Sequence, residues 1–210
     1  MDADHVVDPH RVADLEALEA LYGAPPARSL SKELDRISAP YRALIDAAPF
    51  LVLASVGKEG LDCSPRGDPA GICVVEDEKT VFLPDRRGNN RIDSLRNIVA
   101  DPRVALLFLI PGVDETLRLN GRAEIRIDPD LRARFAMDGK QPATVLRVTV
   151  DSVYFQCAKA LIRSRLWRVE SQVDRKALPS AGDILKDIDA EFDNEAYDSA
   201  LSDRVRRTIY

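Results

Sequence analysis

Thr116-Leu-Arg-Leu-Asn-Gly-Arg-Ala-Glu-Ile-Arg-Ile127 is the most regular stretch of this 210-residue chain. Leu117, Leu119, Ala123, Ile125 and Ile127 take alternate positions, and Arg118, Asn120, Arg122, Glu124 and Arg126 fill those between. Successive side chains of a strand point to opposite faces of a sheet, so the stretch predicts a β-strand with one apolar and one polar face. Working outward, apolar runs at 50–56, 72–75, 80–83, 104–110 and 145–155 predict five more strands. About six mostly antiparallel strands with one apolar face each predict a mainly β fold that curls into a barrel, because closure removes exposed edges.

Helices flank the predicted strands. Val12, Leu15, Leu18 and Leu21 recur at helical spacing, stopped by Gly23 and Pro25-Pro26. Residues 31–48 predict a second helical region, broken at Pro40. Residues 91–99 place Ile92, Leu95, Ile98 and Val99 on one helical face. A short helix is expected from Asp128-Pro129 to near Gly139, another over 158–167, and helical structure from Gly182 onward. The expected organisation is a helical extension over 1–48, a barrel domain over 49–170 and a helical tail over 171–210.

Composition narrows the function. The net charge of −5 argues against general nucleic-acid binding, so a phosphate-bearing partner needs a local cluster of cations. No apolar run approaches the ~20 residues of a membrane span. Residues 1–10 lack the basic and apolar parts of a signal peptide, and three scattered cysteines (Cys63, Cys73, Cys157) suit a reducing compartment, so a cytoplasmic protein is expected. The only histidines, His5 and His10, lie near the start, which argues against Ser-His or Cys-His catalysis. No cysteine or histidine cluster has zinc spacing, and no Walker or Gly-x-Gly-x-x-Gly loop occurs. A cofactor that carries its own chemistry fits these absences.

Four constellations are candidates for holding it. Leu83-Pro-Asp-Arg-Arg-Gly-Asn-Asn-Arg91 lies between a predicted strand and helix, with Asn89 or Asn90 as helix cap and Arg86, Arg87 and Arg91 crowding the turn. Helix N-terminal amides with guanidinium forks make a phosphate cradle; the alternative is a capped loop with solvated arginines. Ser64-Pro-Arg-Gly-Asp-Pro-Ala-Gly71 predicts a shaped loop that aims Arg66 and Asp68, or else an ordinary turn with a surface ion pair. Arg118 and Asn120 share the polar face of the alternating strand. Lys159, Arg163 and Trp167, four apart, line one side of a helix, with core packing the alternative for Trp167.

Together, Ser64–Gly71, Leu83-Pro-Asp-Arg-Arg-Gly-Asn-Asn-Arg-Ile-Asp-Ser-Leu-Arg-Asn-Ile98 and Asp101-Pro-Arg-Val-Ala-Leu-Leu-Phe108 resemble the pyridoxamine 5′-phosphate oxidase-like, FMN-binding split-barrel family over about residues 30–170. Glu115–Ile125 and Cys157–Trp167 are similar to a bacterial branch of mostly unassigned activity. The resemblance implies a homodimer with FMN at the subunit interface. It also implies phosphate contacts from Arg66, with neighbouring Ser64 and Asp68, and from the turn of Arg86, Arg87, Asn89, Asn90 and Arg91. Arg118 and Asn120 of the partner subunit would cover the flavin, and Lys159, Arg163 and Trp167 would lie near its ring. Family oxidases carry a lysine where this chain has Gly71 and Ile72, and an arginine-histidine substrate motif that has no counterpart here. The expectation is an FMN oxidoreductase acting on a small molecule, distinct from a pyridoxamine 5′-phosphate oxidase. The alternative is a carrier of FMN or a related cofactor without turnover; haem is disfavoured for want of an axial histidine.

Overall fold

A computed structural model describes residues 10–210; residues 1–9, and with them His5, lie outside the described residues. The chain divides into two units, one ending at Glu33 and one spanning Leu34–Tyr210. The first contains α1 (Leu15–Tyr22) and α2 (Ala27–Ser31). Asp14 caps α1 by accepting from the Ala17 amide, and Gly23 ends it at φ 69°, where a side chain would be strained.

The second unit is built on one antiparallel sheet of seven strands: β1 (Phe50–Gly57), β2 (Gly60–Gly67), β3 (Val74–Asp77), β4 (Thr80–Asp85), β5 (Arg103–Leu109), β6 (Thr116–Arg126) and β7 (Thr144–Gln156). Their order is β2-β1-β5-β6-β7-β4-β3, so β2 and β3 remain edges of a split, open barrel. The seventh strand, β2, runs through the expected loop. Its sequence Gly60-Leu-Asp-Cys-Ser-Pro-Arg-Gly67 has no apolar alternation, and Pro65 lacks an N–H for the ladder, which an edge strand tolerates. Pairing with β1, Leu51 opposite Arg66 and Leu53 opposite Ser64, makes it a strand.

One face of the sheet carries the core. Leu51 pairs with Phe108, Leu53 with Leu106, Leu106 with Leu119, and Leu119 with Val153, all at 0–1% exposure. Each such residue, fully buried, contributes roughly 1.5–3 kcal/mol. The opposite face pairs Val52 with Leu107 and Ala54 with Ala105, all half-buried. Gly121 sits at a bulge against β7, where a Cβ would come within 2.2 Å of the Thr149 carbonyl oxygen.

Helices cover this core. Only Ala39–Ala47 of the expected 31–48 helix forms as α3: Ser38 caps it, Pro40 sits in its first turn, and Leu34 instead bridges to Val153. α4 (Asp93–Ala100) packs on β1, β2 and β6, burying Ser94 and Ile98. α5 (Pro129–Arg134) follows β6, and α6 (Lys159–Ser164) follows β7. Beyond them come α7 (Ala181–Ile188), α8 (Asn194–Ser199) and α9 (Leu201–Thr208). Among the described residues no helix is long and apolar enough to cross a membrane.

Candidate functional site

The end of β2, the turn from β4 into α4, residues 140–144 leading into β7, and Tyr210 enclose a cleft of about 980 Å³, near the upper end of the roughly 300–1,000 Å³ usual for small-molecule pockets. Two of the four constellations meet there: Ser64, Arg66, Arg86, Arg87, Asn89, Asn90 and Arg91 all line it. Antiparallel pairing accounts for part of the meeting. Asp85 lies opposite Thr144, which joins the ends of β4 and β7, and the end of β2, from the other side of the strand order, lines the same cleft.

The arginines differ in their commitments. Arg86 donates from Nε to Asp68 Oδ2 at 2.6 Å and from Nη1 to the Phe135 carbonyl at 2.5 Å; its side chain is 17% exposed and that of Asp68 only 6%. This pair is a buried brace of the cleft wall. Arg91 pairs with Asp93 at 2.8 Å. Arg66 bonds Ser64 Oγ at 2.5 Å and the Pro65 carbonyl at 2.9 Å, both through Nη1, so Nε and Nη2 are uncommitted among the described residues. Arg87 is exposed and makes no hydrogen bond or ion pair with them. Two guanidiniums, those of Arg66 and Arg87, are therefore available to an anion in the cleft.

The turn that carries Arg87 has an unusual backbone. Asn90 (φ 61°) and Ile92 (φ 54°) are left-handed, with Arg91 between them. Asn tolerates that region, whereas a β-branched Ile is strained there, and such strain concentrates at binding sites. The turn leads directly into the N-terminus of α4, where the dipole favours an anion, although the Arg91 amide is itself engaged. The expected asparagine caps do not form: Ile92 occupies the cap position, and Asn89 Oδ1 accepts instead from the Arg91 amide at 3.1 Å.

Several cleft residues were not among the expected site residues. Asp85 is half-buried, and burial raises its carboxyl above the ordinary range while Arg66 pulls the other way. Thr144 Oγ1 is buried without a hydrogen-bond partner, alone in that among the described side chains. Lys140 and Tyr210 join from segments remote in sequence. Only Asp85, inside the arginine-rich motif, was discoverable from its neighbours. The guanidinium groups of Arg66 and Arg87, the N-terminus of α4 and an unsatisfied hydroxyl fit a phosphate-bearing cofactor with further polar groups to satisfy.

The other two constellations lie elsewhere. Arg118 crosses to β7, donating to the Tyr154 hydroxyl at 3.0 Å, and with the Gln156 amide oxygen turned toward it also to Gln156 at 2.9 and 3.1 Å. Asn120 donates to Ser152 Oγ at 3.3 Å. Lys159 and Arg163 are exposed on α6. Trp167 is not on their helix: α6 ends at left-handed Arg165, and the indole N–H donates to the Val113 carbonyl at 2.8 Å.

Known proteins can now be set beside this geometry. A family model described as pyridoxamine 5′-phosphate oxidase matches residues 37–157, more than half of the chain. No curated protein matches it. Similar solved structures include HupZ of Group A Streptococcus, at 17% identity and TM-score 0.47, covering 57% of this chain and 93% of that one. General stress protein 26 of Bacillus anthracis is similar at 16% identity and TM-score 0.42, with 54% and 88% covered. A FAD-binding protein of Mesorhizobium loti is similar at 16% identity and TM-score 0.41, with 60% and 97% covered.

Proposed function

The chain belongs to the pyridoxamine 5′-phosphate oxidase family, and from that premise we propose that it binds FMN through the phosphate and works as an oxidoreductase on a small molecule. The observation that carries this reading is that Arg87 and the Nε and Nη2 of Arg66, without partners among the described residues, line one cleft with the Asn90–Ile92 turn. Bound flavin supplies the redox chemistry; the chain's residues bind and orient it. Arg66 and Arg87 hold the phosphate, Thr144 offers its unpaired hydroxyl to a polar group, and the half-buried Asp85 offers a carboxyl.

The working unit in this proposal is a homodimer. The half-buried apolar face of Val52, Ala54, Ala105 and Leu107 supplies an isologous surface, and the Arg118–Asn120 segment of a second copy covers the flavin. The activity proposed is not pyridoxamine 5′-phosphate oxidation, since no histidine follows His10 to complete a substrate phosphate site.

Titration with FMN and riboflavin tests the binding. Charge-assisted contacts are worth about 1.5–3 kcal/mol each, so FMN is expected to bind at least about tenfold more tightly. Equal affinities overturn the phosphate assignment. Bleaching of the bound flavin by NADH or NADPH, with recovery in air, then separates an enzyme from a carrier.

A further inference from the structure

Tyr210 reaches the cleft from the far end of the sequence and touches three of the segments around it. Its hydroxyl donates to Asp68 Oδ1 at 3.0 Å, and its ring lies 5.5 Å from the Arg86 guanidinium carbon. Lys140 Nζ donates to its carbonyl oxygen at 2.9 Å. The preceding helix is itself anchored: the Arg204 guanidinium lies 4.1 Å from the Tyr197 ring centroid and donates to the Tyr197 carbonyl at 3.3 Å.

The cations of the cleft are thereby divided. Arg91 is paired with Asp93, Arg86 is held by Asp68 and the Phe135 carbonyl with the Tyr210 ring beside it, and Lys140 donates to the Tyr210 backbone carbonyl. Arg66 and Arg87 remain, enough for one phosphate. A ligand with a second phosphate and a further nucleoside needs more cations and more room, and the Tyr210 ring stands among the lining residues beside Arg86 and Lys140.

We propose that Tyr210 is a specificity-determining residue that closes the Arg86–Lys140 end of the cleft, so that the site accepts a flavin mononucleotide and rejects the dinucleotide. The inference rests on the flavin reading above. Specificity is a difference of affinities, and here the repulsive half is supplied by a side chain of the chain itself. The aromatic ring does the excluding, while the hydroxyl holds the ring in place through Asp68.

The test is a titration of wild-type, Tyr210→Ala and Tyr210→Phe proteins with FMN and with FAD, read by quenching of flavin fluorescence. Wild type is expected to prefer FMN by at least about tenfold. Tyr210→Ala reduces that preference to about threefold or less through tighter FAD binding, with FMN affinity little changed. Tyr210→Phe, which keeps the ring, retains most of the preference. An unchanged FMN-to-FAD ratio in Tyr210→Ala overturns the inference and leaves FMN binding standing. Failure of both flavins to bind wild type overturns the flavin reading and the inference together.

Discussion

Asp68 and Arg86 form an ion pair of 2.6 Å in the wall of the cleft, sealed from solvent and closed on its other carboxylate oxygen by the Tyr210 hydroxyl. The most conspicuous arginine of the motif is thus structural, and its neighbour Arg87 makes no hydrogen bond or ion pair among the described residues.

This separates two mutants that look alike in sequence. Arg86→Ala leaves the Asp68 carboxylate buried without its cation and is expected to cost about 3–5 kcal/mol of stability. Arg87→Ala removes an exposed side chain and is expected to change stability by less than ~0.5 kcal/mol while weakening FMN at least about tenfold. Urea unfolding alongside FMN titration checks both; equal destabilisation by the two mutants contradicts the division of roles.

Arg66→Ala is expected to behave like Arg87→Ala in FMN titrations, because its Nε and Nη2 are uncommitted. Its stability cost is small, since the bonds to Ser64 and Pro65 are local and partly exposed. FMN affinity unaffected by this substitution would place the phosphate elsewhere in the cleft.

Asp85 gives a pH-dependent prediction for the ligand-free protein. Burial raises its folded-state pKa above the ordinary 3.8, so the folded chain holds this proton more firmly than the unfolded one. The associated stability is full below the unfolded value and is lost as pH rises through the folded value. At neutral pH the buried charge is therefore a cost, and Asp85→Asn is expected to stabilise by up to ~1 kcal/mol, allowing for solvent screening. Thermal unfolding at pH 7 and pH 3 tests this: the gain appears at pH 7 and vanishes at pH 3.

Gly121→Ala is expected to destabilise by more than ~3 kcal/mol, because its Cβ would meet the Thr149 carbonyl oxygen at 2.2 Å across the β6–β7 ladder. Denaturant midpoints compared with wild type measure it.

A homodimer is expected in light scattering, at twice the 23.3 kDa chain mass. Leu107→Glu, on the half-buried outer face of β5, is expected to shift the protein toward the monomer and to weaken FMN in step. Monomeric wild type at micromolar concentration removes the shared site.

Periodicity alone determined the strands with an apolar face. The alternation of residues 116–127 and the runs at 50–56 and 104–110 become β6, β1 and β5, because burying one side of a strand writes a two-residue period into the sequence. The arginine-rich motif announced the cleft for a related reason: three guanidiniums beside Gly88 in one turn need a local purpose. What the sequence could not carry were relationships that depend on a distant partner. Strand β2 has no period of its own and exists because β1 supplies its ladder. The three arginines Arg66, Arg86 and Arg87 are chemically identical in the sequence; only the fold, by bringing Asp68 and the Phe135 carbonyl to Arg86, decides which are left for a ligand. The seat of Tyr210 against Asp68 likewise joins residues remote along the chain, and no local pattern encodes a contact of that range.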